Sequence, residues 1–183
     1  GTWVDNIGGA TRRIEDAKKV IKKLLSEDDI VANTNFGLMT WSGRDDQTIL
    51  QVEVNEDGAK NILKKIDSID YIPGGGTNLG GAMMKARRYF RGGLSNPITN
   101  KTYTSPKNEK AKDCENNYII VISDGGWPWY INPDPIAKDL VKSDQVGSLV
   151  VGYKGYTKFK YLYESVAKAG RIKKGDKWIG GSP

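Results

Sequence analysis

Two short segments hold side chains placed to do chemistry. Asp124 ends the most apolar run of the chain, Tyr118-Ile119-Ile120-Val121-Ile122-Ser123, and is followed by Gly125. A carboxylate there stands at the edge of a core, at the sheet end where open α/β sheets bind ligands. Ionised, it is a strong oxygen donor for a hard cation. Asp-Gly is also a common turn that closes a strand, and taken alone the turn is the simpler account. The second segment is Gly74-Gly75-Gly76-Thr77-Asn78. Its glycines let backbone and ligand approach closely, and a helix beginning after it would present free N–H groups. Thr77 then offers a hydroxyl to a ligand, or else Thr77 or Asn78 caps the helix. A phosphate-binding loop would end in Gly-Lys-Ser/Thr, which this segment does not.

The elements that must position these residues follow from periodicity. Ile14, Ala17, Val20, Ile21, Leu24 and Leu25 recur at helical spacing with Lys and Glu between them, which predicts a first helix. Asn35 to Trp41 is a nearly unbroken apolar run, as expected of a strand covered on both faces. Leu50, Val52 and Val54 alternate with polar residues and predict a strand with one wet face. Ala59, Ile62, Leu63 and Ile66 mark a second helix. Leu79, Ala82, Met83, Ala86, Tyr89 and Phe90 mark a third, directly after the glycine turn. Residues 91–117 are polar and read as a long surface loop. Tyr118 to Ser123 and Ser148 to Tyr153 are strands, with a short helix around Ile136 to Val141 between them. Phe159 to Ala167 carries a late helix, with Gly170 where a C-terminal cap is expected. Strands alternating with helices predict an α/β fold, doubly wound, with a mostly parallel central sheet flanked by helices.

Composition narrows the chemistry. The 183 residues suit one domain, and histidine is absent, which removes the commonest general base. The single cysteine, Cys114, excludes an internal disulfide and a Cys-rich zinc site. No apolar run reaches the roughly 20 residues that cross a bilayer, so no membrane span is expected. The formal charge of +6 is of the kind that favours nucleic acid, anionic membranes or acidic partners. The lysines are scattered along helices, as in Lys18, Lys19, Lys22 and Lys23, and read as solvated faces, so nucleic acid is not expected as a partner. No Gly-x-Ser-x-Gly elbow is present, and the chain is not expected to be an enzyme.

Together, the Gly-Gly-Thr-Asn turn opening a helix and the apolar strand ending in Ser-Asp-Gly resemble the von Willebrand factor A-type domain. The likeness extends to Arg13-Ile14-Glu15-Asp16-Ala17-Lys18 and to Phe36-Gly37-Leu38-Met39-Thr40-Trp41, and so covers nearly all of residues 1–183. It implies that Thr77 and Asp124 belong to two of the three loops of a metal-ion-dependent adhesion site. Gly76, Asn78, Gly125, Trp127 and Trp129 would then border the bound ligand. The implied cofactor is a divalent cation, Mg²⁺ or Ca²⁺, and the implied partner is a protein that completes the coordination with an acidic residue. Exposed aromatics beside a site often anchor partners. Trp127, Trp129 and Tyr130 therefore either do that or pack over the sheet edge.

A narrower likeness runs through Arg88-Tyr89-Phe90, Ser95-Asn96-Pro97-Ile98 and Cys114-Glu115-Asn116-Asn117. These are similar to the A-type domain of type IV pilus-tip adhesins. It implies a fragment of a larger extracellular protein at a bacterial pilus tip, with pilus components as partners. The alternative is a structural or mechanical element of pilus assembly whose metal site does not work. One departure bears on this choice. The family's first metal loop reads Asp-x-Ser-x-Ser, and the nearest sequence here is Asp5-Asn6-Ile7-Gly8-Gly9. Either Asp5 is the third metal-binding residue, or the motif lies upstream of Gly1 and the chain lacks the first strand of the fold. The second is the expectation.

Overall fold

Apolar residues at helical spacing and charged residues between them give α1, Trp3–Leu24. In this computed structural model the described residues are 3–44, 47–69, 76–108, 115–123, 126–127, 130–152, 160–174 and 177–179. The chain falls into two compact units, Gly1–Thr40 with Ile49–Gly75, and Trp41–Thr48 with Gly76–Pro183.

In the first unit, α1 is followed by a single helical turn, α2 (Asp28–Val31), and by strands β1 (Phe36–Thr40) and β2 (Ile49–Asn55). Helix α3 (Gly58–Lys65) then runs into a 3-10 turn, Ile66–Ser68. β1 and β2 pair antiparallel, with Leu38 opposite Val52 and Thr40 opposite Ile49, and a bulge between Phe36 and Leu38. Leu25, Val52, Ala59, Ile62 and Ile66 form the core of the unit. Val20, expected on the apolar face of α1, is 52% exposed, while Lys18 is buried and paired with Glu15 at 2.9 Å. β1 was expected to be covered on both faces, but its Gly37 is exposed and its other residues are half-buried. β2 matches its alternation, with Val52 buried and Glu53 exposed.

The second unit begins with α4 (Leu79–Phe90), directly after the glycine turn. Strands β3 (Asn117–Ser123) and β4 (Val146–Gly152) pair parallel in unbroken register, Asn117 opposite Val146 through Ser123 opposite Gly152. Between them lies α5 (Asp134–Asp139), which continues as a π-helical turn, Leu140–Asp144. Helix α6 (Lys160–Ala169) and a short hairpin, β5 (Ile172–Lys174) with β6 (Lys177–Ile179), complete the unit. Leu79 and Met83 of α4, Val121 of β3, Val146 and Val150 of β4, and Tyr163 and Val166 of α6 meet in one core. Each such side chain contributes about 1.5–3 kcal/mol when fully buried. The other face of the pair carries Ile120 and Val151, both exposed. The described strands therefore form three two-stranded ladders, one of them parallel. The α/β alternation is present, and the continuous doubly wound sheet is not seen among the described residues.

Residues 91–108, which follow α4, are better ordered than a free loop. Ser95 and Thr102 form an antiparallel bridge. Asn96 Oδ1 accepts from the amides of Ile98 and Thr99 at 2.8 and 3.0 Å, which closes the turn. The Tyr103 ring meets Tyr89 edge-on at 6.2 Å, and Ser105 donates to the Phe90 carbonyl. Cys114 lies outside the described residues.

Gly170 departs from its expected role. Its φ is not left-handed, so it is not a capping residue of that kind. It is needed because α6 ends against β4: Ser148 N–H donates to the Gly170 carbonyl at 2.9 Å, and a Cβ on Gly170 would overlap Ser148 and lie 2.8 Å from its Oγ. Overpacking of this kind costs about 1–3 kcal/mol. Thermal denaturation of Gly170→Ala is expected to show that loss, and an unchanged midpoint would contradict this packing.

The C-terminal end of α4 is tied down by charge. Arg87 and Arg91 contact Asp139 at 2.7 and 2.8 Å. Arg91 also reaches Asp144 at 2.7 Å, where the carboxylate is 4% exposed. Hydrogen bonds from Ser143 and then Arg91 hold the Asp139 carboxyl below its ordinary value; desolvation opposes them, and Arg87 adds a lesser lowering contribution. A carboxylate with a depressed folded-state pKa stabilises above its unfolded pKa of about 3.9 and loses that contribution as pH falls through the folded value. The unfolding midpoint should therefore drop on acidification below about pH 4. Asp139→Asn should remove part of that dependence, which calorimetry across a pH series would measure.

Candidate functional site

The glycine turn reaches α4 with a definite division of labour. Asn78 is the N-cap: its Oδ1 accepts from the Gly81 amide at 3.0 Å. Its own amide donates to the Ser42 carbonyl at 3.2 Å, which joins the turn to the 41–44 loop. Of the two capping candidates, Asn78 therefore takes the task. The Thr77 hydroxyl is left half-exposed, with no hydrogen-bond partner among the described residues. Gly76 beside it is exposed.

The glycines are explained by what touches them. A Cβ on Gly76 would collide with the Tyr130 hydroxyl, and one on Gly80 would collide with the Ile131 carbonyl. A Cβ on Gly43 would strike Gly76 and lie 2.9 Å from the same hydroxyl. The Ile131 backbone thus meets the first turn of α4 at Gly80, where only glycine permits the approach.

Trp127, expected among the ligand-bordering aromatics, is instead a core side chain. It is 3% exposed and packs edge-on against Tyr163 with ring centroids 5.0 Å apart. Its carbonyl accepts from the Tyr130 amide at 3.1 Å, so the core position of Trp127 sets where Tyr130 emerges. Asp124, Gly125 and Trp129 lie outside the described residues. Asp5 falls in the first turns of α1, within a helix rather than at a strand end. Among the described residues no group of three or more His, Cys, Asp or Glu side chains is placed to hold a metal. Among the described residues, the oxygens here without a hydrogen bond include the neutral hydroxyls of Thr77 and Tyr130, which suit a hard cation only together with a carboxylate.

The site is a helix N-terminus met by two loops in an α/β unit, and the Thr77 and Tyr130 hydroxyls beside it make no hydrogen bond among the described residues. Residues 5–174 match the von Willebrand factor type A domain, and the chain belongs to that family. The match spans both compact units. Domains of this family mediate adhesion and protein interaction through a metal site, and they bind protein partners. No curated protein matches the chain. No helix among the described residues is long and apolar enough to cross a membrane.

Sequence reasoning named Thr77, Asn78 and Gly76 but could not say which of Thr77 and Asn78 caps. It missed the Ser42–Gly43 loop, whose contribution is a carbonyl and a missing side chain, and neither has a motif. If Asn78 caps and Thr77 does not, the two alanine substitutions must differ. Asn78→Ala should lower stability by about 1 kcal/mol, and Thr77→Ala should stay within about 0.5 kcal/mol of the parent. Denaturant unfolding of both variants measures this, and equal losses would refute the assignment.

Proposed function

We propose that the chain is a metal-assisted adhesion module of a bacterial cell-surface protein, extracellular and associated with the tip of a type IV pilus. The observation that carries the reading is the unengaged Thr77 hydroxyl at a turn whose capping is done by Asn78. In this reading Thr77 and Asp124 hold Mg²⁺ or Ca²⁺ at the carboxyl end of the sheet, and a partner protein supplies the next carboxylate. A bound cation provides a strong electrostatic contact for that acid. Thr77 contributes a neutral oxygen, Asn78 holds the turn in place, and no side chain has a catalytic task. The proposal includes the doubly wound sheet of the family, of which β3 and β4 are a parallel pair. Pilus components are the proposed partners, and the narrower likeness of the segments around Arg88, Ser95 and Cys114 supports them.

A second reading makes the domain a mechanical element of pilus assembly with a non-functional metal site. The helical setting of Asp5 favours it.

Calorimetric titration of Mg²⁺ into the full chain separates the two. The adhesion reading expects Asp124→Ala and Thr77→Ala each to weaken binding at least about tenfold, a loss of roughly 1.4 kcal/mol. Equal affinity in parent and variants would overturn it and leave the mechanical reading.

A further inference from the structure

One polar group beside Thr77 makes no hydrogen bond among the described residues. The Tyr130 hydroxyl rests against Gly76, the residue before Thr77, and against Gly43. The residue is 39% exposed, and the hydroxyl makes no hydrogen bond among the described residues. Its position is nonetheless fixed. The Tyr130 amide is bonded to Trp127, Trp127 is locked edge-on against Tyr163, and the Ile131 carbonyl sits on Gly80. A phenol held rigidly at a turn, with its O–H unspent, is a hydrogen-bond donor placed in advance for something arriving from solvent.

The charge of this unit indicates what arrives. Trp41–Thr48 and Gly76–Pro183 hold 19 Lys and Arg against 11 Asp and Glu, a net +8. Gly1–Thr40 and Ile49–Gly75 hold 9 against 11, a net −2. The net positive charge of the chain thus comes from the unit that carries the turn, and such a field draws anionic ligands. A hydroxyl donating to a carboxylate makes one of the stronger hydrogen bonds available to a neutral side chain.

We propose that Tyr130 is a ligand-contacting residue whose hydroxyl donates a hydrogen bond to a carboxylate of an acidic protein partner at the Thr77 turn. Ile131, 46% exposed, supplies the apolar contact next to it. This assignment rests on the reading of the Thr77 turn as the binding site, and it adds the residue that recognises the anion.

Acetate is the probe, because it carries the carboxylate and little else. Isotope-labelled full chain is titrated with acetate, with and without Mg²⁺, at matched ionic strength, and the Gly76, Thr77 and Asn78 amides are followed by NMR. The expected result is saturable shifts in the parent and an affinity roughly fivefold to tenfold lower in Tyr130→Phe. That substitution keeps the ring and should keep the thermal midpoint. Equal affinity in Tyr130→Phe, or shifts that climb without saturating, would overturn the assignment. Mg²⁺ alone, titrated into parent and Thr77→Ala, tests the metal reading separately. Tyr130-dependent acetate binding without Mg²⁺ binding would remove the metal and leave Tyr130 standing. Thr77-dependent Mg²⁺ binding with acetate indifferent to Tyr130→Phe would remove Tyr130 alone.

Discussion

The first turn of α4 begins with amide groups that have no partner within the helix, and the surrounding structure is arranged to satisfy them. Asn78 supplies its side-chain oxygen to Gly81 and donates its own amide to Ser42. Because the asparagine does this, the threonine before it has no structural duty. Had Thr77 been the cap, its hydroxyl would have been spent within the helix. The two neighbouring residues divide the work: the asparagine cap stabilises the helix, and the threonine hydroxyl stays available.

The far end of the same helix shows why the turn holds its position. Arg87 and Arg91 are clamped by Asp139 and Asp144, and Asp144 is nearly buried. The Arg91 guanidinium, bonded first of all to Asp144, is held more firmly protonated than a free arginine. Between the two ends, Leu79 and Met83 are fixed in the core that also holds Trp127 and Tyr163. A helix capped at one end, ion-paired at the other and packed between them is a rigid support. Sites on such elements keep their geometry better than sites on loops. Tyr130 gains its fixed position from the same core, through its bond to Trp127.

Much of this was legible in the sequence, for reasons that differ by element. The helical spacing of Leu79, Ala82, Met83, Ala86 and Phe90 marked α4, because one face of a helix must be apolar when it packs on a core. The apolar run before Asp124 marked β3, and the alternation of Leu50, Val52 and Val54 marked β2. The role of Gly170 was not legible. A glycine after a helix usually means a left-handed cap, and only the approach of β4 shows that Ser148 excludes a side chain there. The order in residues 91–108 was hidden because it depends on Asn96 and Ser105 bonding to backbone, which leaves no periodic pattern. The clamp on Arg91 joins residues about fifty positions apart and has no local signature. Trp127 was ambiguous because an aromatic after a strand packs inward or outward with equal ease until its neighbour, here Tyr163, is known.

In the proposed reading, weak ion binding and weak partner binding support each other. A divalent cation held by one threonine hydroxyl and one aspartate retains positive charge, and the surrounding unit adds a net +8. An arriving carboxylate lowers the energy of the cation, and the cation lowers that of the carboxylate. By linkage the two affinities rise by the same factor. A site poor in its own acids therefore depends on its partner more than one that saturates its ion alone. The Tyr130 hydroxyl enters this balance on one side only, since a phenol O–H donates to the carboxylate and asks nothing of the ion. It would raise affinity for an acidic partner without tightening the hold on free cation, which suits a module that should engage the metal when the partner is present.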